Sequence, residues 1–301
     1  MLPASAIDPA LLGGGGGGGG ERGIKHTGQP PPGSLLTKNG GRPTPILTQE
    51  GNRTLDPAFA EVATWNVFDA NVRLGHSGIY GELALETADL HAEMDRFGIQ
   101  QALVSHFAGE EYDAEEGNHL LAAERHERLE PAWAALPDPL FVQKLAMRRP
   151  MAVRLSYGAK KHNFSWAPWC SRELYEYLEE DSVLTLVARE DIEWDSLAQL
   201  LGNFPRLQIL LLETGYRADR YLFPLFKRHA NLYLDTSTYV AHRQLESFVD
   251  KFGPEPLVFG SRLPLYSAGA ALAVLATVRI SDEARPSIAG GTLRRLLRRE
   301  S

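Results

Sequence analysis

The sequence predicts an α/β fold, a single-domain (β/α)8 TIM barrel behind a disordered N-terminal extension. Three features carry this: β-rich runs alternate strictly with segments of helical period from residue 65 onward, runs such as LQILLL are almost continuously apolar, and there are eight such units. Strands apolar on both faces belong to a parallel sheet covered by helices, and eight strand–helix units close into a barrel. An open doubly wound sheet is the competing arrangement, but no glycine-rich dinucleotide turn follows the first strand.

Residues 1–60 differ from the rest, with GGGGGGGG at 13–20, then QPPPG and KNGGRPTP, and almost no apolar periodicity. Such a segment buries too little surface to offset its ordering entropy. A phosphate-cradling loop would need a preceding strand, a lysine and a following helix, none of which is present. The expectation is a low-complexity tail, disordered or an over-extended start, over 1–60, and a barrel over 61–301.

The predicted strands are 65–72, 101–107, 129–136, 151–157, 182–189, 207–213, 232–238 and 256–261. Between them TADLHAEMDRFG, EEGNHLLAAERH, LFVQKLAMRR, SRELYEYLEE, DSLAQLLGNF, ADRYLFPLFKRH and RQLESFVDKFG repeat apolar residues at three- and four-residue steps, and AGAALAVLATVR follows the last strand. That spacing is the signature of helices laid on a sheet. Gly98 and Gly253 stand where two of these helices need a left-handed C-terminal cap. The terminal TLRRLLRRES places leucines on one helical side and arginines on the other, predicting a last helix docked by its leucines with a solvated basic face.

The 301 residues carry a net charge of −7 with no basic block, which gives no field for nucleic acid. Cys170 is the one cysteine, which excludes an internal disulfide framework. No apolar run is long enough to cross a bilayer, and no basic segment leads into an apolar one at the N-terminus. The expectation is a cytoplasmic protein with neither nucleic acid nor membrane among its partners.

The run ETADLHAEMDRFGIQQALVSHFAGEEYDAEEGNHLLAAERHERLEPAWAALP, with NFSWAPWCSRELYEYLEE, LLLETGYR, NLYLDTSTY, LVFGSRLP and IAGGTLRRLL, resembles the amidohydrolase-related family of metal-dependent barrel hydrolases and decarboxylases. The likeness spans Trp65 to Leu297. It implies a metal held by a His-x-His pair after the first strand, histidines after the fifth and sixth, and an aspartate after the eighth. In this sequence those positions carry Asn71 and Arg73, the VARE stretch near Ala188 and Arg189, Glu213, and Arg262. Two are arginines, which stay protonated and donate no lone pair. The expectation is therefore no cofactor, zinc included, and no metal-ligating residue.

Strand ends at the barrel mouth hold the working residues of such folds. Asn71, Arg73, Arg154, Lys160, His162 and Arg262 are the predicted substrate-binding residues, since arginine pairs carboxylates and phosphates in bidentate fashion. His106, Glu213 and Asp235 are the predicted acid–base groups. A purely structural alternative stands beside this: Arg73 and Arg262 pair with Glu213 and Asp69 and fill the centre with an ion network. His106 is equally readable as a hydrogen-bonded structural histidine. The loop holding Trp166, Trp169 and Cys170 reads as a lid or an interface.

These residues suggest a hydrolase or decarboxylase of a small anionic, carboxylated molecule. The competing readings are a non-catalytic barrel retained as a binding or assembly partner, as a homo-oligomer or beside an active homologue, and a metal-dependent hydrolase with an unconventional metal site.

Overall fold

In the computed structural model the described residues are 55–297, so positions 1–54 of the predicted tail lie outside them. Within the last residues assigned to that tail, Pro57–Phe59 forms one turn of helix, and the Phe59 ring meets Phe97 edge-on at 5.0 Å.

The chain then runs β1 (Val67–His76), β2 (Ala84–Leu85), α1 (Thr87–Phe97), β3 (Ile99–His106), α2 (Phe107–Glu111), α3 (Ala114–Ala123), β4 (Leu129–Ala134) and α4 (Pro139–Arg148). It continues through β5 (Ala152–Leu155), α5 (Pro168–Glu180), β6 (Leu184–Ala188), α6 (Trp194–Asn203), β7 (Ile209–Leu212) and α7 (Asp219–Phe226). Then come β8 (Leu232–Asp235), α8 (Gln244–Phe252), β9 (Leu257–Val258), α9 (Ala268–Thr277) and a terminal helix, Thr292–Leu297. All eight predicted strands are present and pair in parallel in the order β1-β3-β4-β5-β6-β7-β8-β9. The ring closes where Ala70 N donates to Phe259 O and Arg73 N to Leu263 O, each at 2.9 Å.

Among the elements the sequence reading missed, β2 and α2 shape the barrel mouth. β1 runs on to His76 because Gly75 and His76 pair antiparallel with β2. α2 is too short to show a helical period. Gly98 caps α1 in the left-handed region as expected, while Gly253 ends α8 at φ 77°, ψ 175°, an extended positive-φ conformation outside that region.

Alternation sorts the side chains. Ala152, Leu184, Leu186, Leu210, Leu212 and Val258 fill the barrel interior, while Ile209, Leu211, Val153 and Val187 face the helices. Leu293, Leu296 and Leu297 of the terminal helix join the interior cluster. Of its arginines, Arg295 is exposed as predicted, whereas Arg294 is partly buried, lying over the Phe68 ring at 5.4 Å and donating to Asn66 O.

β1 breaks the alternation. Phe68 and Ala70 belong to the interior cluster, yet Val72 and Leu74 face the helices, because the β1–β3 register slips between Asp69 and Val72. A β-bulge of this kind re-aims the residues that follow it. Here it turns Asn71 and Arg73 into the barrel mouth.

α2 reaches that mouth by packing tightly on α3. A Cβ on Gly117 would fall on the backbone of Gly109, so the crossing depends on two bare glycines. Gly117→Ala should lower stability in urea unfolding by about 1–3 kcal/mol, the usual cost of overpacking. Gly202→Ala, at a helical site whose nearest neighbour is the His229 ring at 3.9 Å, should be neutral or stabilising.

Candidate functional site

Two carboxylates organise the mouth. Glu110, carried in by α2, receives Arg73 Nε at 3.1 Å, Arg154 Nε at an ion-pair distance of 3.0 Å, and the Ser105 hydroxyl at 2.6 Å. Glu213, at the end of β7, has Oε1 within 2.6 Å of Arg73 Nη2 and 3.4 Å of Arg154 Nη2, and Oε2 within 2.7 Å of Arg262 Nη2. Asn71 ties the group together: its Nδ2 donates to Asp235 at 3.1 Å and Glu213 at 3.3 Å, and its Oδ1 accepts from Arg154 at 3.1 Å.

Burial would raise both glutamates, but Arg154, Arg73 and Lys161 outweigh it at Glu110, holding it at about 2. Arg73, Arg154 and Arg262 hold Glu213 well below the carboxylate range. Burial and then the neighbouring Arg73 lower the proton affinity of Arg154, as expected where positive charge exceeds negative. No arginine touches Asp235, which is fully buried and accepts from Asn71, the Glu213 amide and the Ser237 amide and hydroxyl; burial raises its pKa. Its carboxylate fits only because Gly260 has no side chain, since a Cβ there would strike it. Burial raises Asp69 to about 6 against the hydrogen bonds from Ser261 and Asn71.

Three guanidiniums thus meet two ionised carboxylates. Each of the three keeps one nitrogen without a hydrogen-bond partner, Arg73 Nη1, Arg154 Nε and Arg262 Nε; what sets Arg262 apart is that it is 14% exposed, against 1% for Arg73 and Arg154. Both Glu213 (φ 60°) and Arg262 (φ 62°) sit in the left-handed region, an unfavourable backbone state that the ion pair between them helps to hold. Arg262, Glu213, Ser237, Tyr216 and Tyr266 line a pocket of about 570 Å³ together with Ala270, Ala271 and Val274 of α9.

Asn71, Arg73, Arg154, Glu213, Asp235 and Arg262 therefore converge. The other named residues do not join them. His106 caps α2, its Nδ1 accepting from Ala108 N at 3.1 Å, and its ring rests on Gly75. His162 Nε2 lies 2.8 Å from Gly109 O, and Lys160 is exposed. The neighbouring Lys161 is the buried lysine, paired with Asp191 at 2.9 Å and Glu190 at 3.0 Å. Arg189 turns away to lie over the Trp194 ring. Trp166 donates to Asp191 O, while Trp169 is 82% exposed. Asp69 pairs with neither Arg73 nor Arg262; it accepts the amides of Asn71 and Ser261 and braces the seam between β1 and β9.

Sequence reading missed Glu110 and Ser237, and of the two adjacent lysines it took Lys160 rather than Lys161 as the binding residue. The acidic FAGEEYD reads as a solvated turn, and only the Gly109–Gly117 contact brings Glu110 inward. The one available signal was arithmetic: the predicted cations at the mouth outnumbered the predicted anions.

No sequence-family model matches the chain, and no curated protein matches it. Its fold is similar to several solved structures. A 5-carboxyvanillate decarboxylase from Sphingomonas paucimobilis aligns at TM-score 0.60 and 14% identity over 77% of this chain and 99% of that one. A 2,6-dihydroxybenzoate decarboxylase in complex with 2,6-dihydroxybenzoate aligns at 0.61 and 17% over 77% and 99%. A dihydroxybenzoic acid decarboxylase from Polaromonas, with bound manganese and the inhibitor 2-nitroresorcinol, aligns at 0.57 and 14% over 77% and 96%. At such identities the likeness is one of fold, and amidohydrolases share it.

The manganese corrects the expectation that no cofactor goes with this kind of protein: a metal is at home among its structural neighbours. Asn71, Arg73, Glu213 and Arg262 do not themselves fit a divalent ion, because both oxygens of Glu213 face guanidiniums and Arg73 and Arg262 stand beside it. Among the described residues no group of three or more His, Cys, Asp and Glu is placed to hold one. In addition, no helix among them is long and apolar enough to cross a membrane.

Two outcomes test the network. Glu110→Ala leaves Arg73 and Arg154 with only Glu213, already shared with Arg262, in a desolvated site and should cost about 3–5 kcal/mol in urea unfolding. The pH profile should have a maximum. Glu110 is depressed from 4.5 to about 2, so its contribution is complete above 4.5 and is lost as pH falls towards 2. Asp69 is raised from 3.8 to about 6, so stability first rises as pH falls through 6. Urea midpoints measured from pH 8 to 3 should therefore peak near pH 5.

Proposed function

We propose that the protein binds a small carboxylated molecule in the pocket beside Arg262 and acts on it as a hydrolase or decarboxylase. The observation that carries this is the surplus positive charge on Arg262, whose Nε is unpaired while its side chain opens on the pocket wall. A desolvated guanidinium has a strong demand for an anion, and a carboxylate matches its fork. Support comes from the fold shared with decarboxylases of carboxylated aromatics.

In this reading Arg262 anchors the substrate carboxylate, while Arg73 and Arg154 are spent on holding Glu110 and Glu213. Glu213 is a poor base, since three guanidiniums keep it ionised. Asp235 takes the proton-handling role: burial raises its pKa, and the hydroxyl that donates to it belongs to Ser237, which lines the pocket. His106 is left as the cap of α2.

The second reading, a non-catalytic binding barrel, draws on the same network, because Arg73 and Arg154 occupy the centre paired with Glu110 and Glu213. Benzoate binding followed by isothermal titration tests the site itself. Arg262→Ala should weaken it at least about tenfold, the worth of one charge-assisted contact, and unchanged affinity overturns the proposal. Release of carbon dioxide or hydrolysis product by the isolated chain would exclude the non-catalytic reading.

A further inference from the structure

We infer that the pocket selects acids with a single charged head and an uncharged apolar body, and that α9 sets this selection. The inference rests on the carboxylate reading of Arg262 and extends it to the rest of the ligand.

The pocket lining combines two unlike sets of residues. One is Arg262 standing against Glu213. The other is Val240 together with Ala270, Ala271 and Val274 of α9. α9, AGAALAVLAT, carries no charged residue along its whole length. Helices on the outside of a barrel ordinarily present charge to water on one face. This one instead offers methyl groups, Ala270 exposed and Ala271 and Val274 half-buried. The exposed Tyr216 and Tyr266 also line the pocket, and the Arg262 guanidinium lies 5.0 Å from the Tyr266 ring centre.

Charge counting gives the selectivity. Arg262 is the one cation among the residues lining the pocket, and Glu213 beside it is an anion. A second carboxylate on the ligand would find no second cation in the lining, only the neutral hydroxyls of residues such as Thr238 and Ser267 beside alanine and valine, and would be desolvated without a counter-charge. An alkyl or aryl body gains from the same surface in proportion to the area it buries. At about 570 Å³ the space exceeds what a carboxylate group alone would occupy, and the small side chains of α9 are what leave the remainder open.

Ligand-observed NMR titration of the full chain with acetate, hexanoate and adipate tests this. Hexanoate should bind about tenfold tighter than acetate, from its added buried methylenes, and about tenfold tighter than adipate of the same chain length. Ala270→Leu, a substitution at an exposed helical site, fills the slot and should reduce hexanoate to the level of acetate while leaving acetate unchanged. Adipate binding as tightly as hexanoate, or hexanoate binding unaltered in Ala270→Leu, overturns the inference, and the carboxylate reading survives provided Arg262→Ala abolishes the binding seen. Binding of none of the three acids overturns the carboxylate reading and this inference together. The comparison of hexanoate with adipate needs only the wild-type chain, so the test stands even if the variant fails to fold.

Discussion

Two arginines buried to 1% exposure in the mouth of a barrel must each find an anion, and the rest of the site is arranged around that demand. Arg73 and Arg154 lie side by side and repel one another, so neither is stable without Glu110 and Glu213 between them. Each glutamate, taken alone, would be driven by burial towards its neutral form. Together they stay ionised, and removing any one member exposes the desolvation of the others. A buried ion network of this kind offers little net stability over apolar packing, but it strongly penalises its own disruption. What it secures is position: α2, β1, β5 and β7 are tied to one another at the level where ligands enter such folds.

The same balance explains why the network leaves something over. The third guanidinium, Arg262, shares Glu213 with two others and contacts it without a hydrogen bond at Oε2. Its backbone is held in a conformation that side chains disfavour, as is that of Glu213. Strain and surplus charge therefore meet on the one arginine that faces the pocket. The inner arginines are consumed by architecture, and the outer one is available for recognition.

Much of the barrel was legible because hydrophobic period is a local property. Ile209 to Leu212 is buried at every position, as expected of a strand covered on both faces, and the helices carried their three- and four-residue steps. The site was legible only in part. Asn71, Arg73, Glu213 and Arg262 were found from their places in the strand-end pattern. Glu110 was not, because a charged residue in a five-residue helix has no periodicity to mark it. His106 looked like a working residue from its place at a strand end, but its ring nitrogen satisfies the α2 backbone. Lys160 and Lys161 are adjacent, and which one turns inward depends on the path of a loop.

The sequence by itself determined the order of the eight barrel strands and the helices between them, the excess of cations at the mouth, and the presence of Asn71, Arg73, Glu213 and Arg262 at strand ends. These follow from local pattern and residue chemistry. Only the tertiary structure decided where those charges meet. A register slip in β1 faces Asn71 and Arg73 inward, a glycine-to-glycine contact delivers Glu110, and barrel closure sets Arg262 beside Glu213. Each is a relation between segments far apart in the chain, settled by packing and by the need of buried charge for a partner.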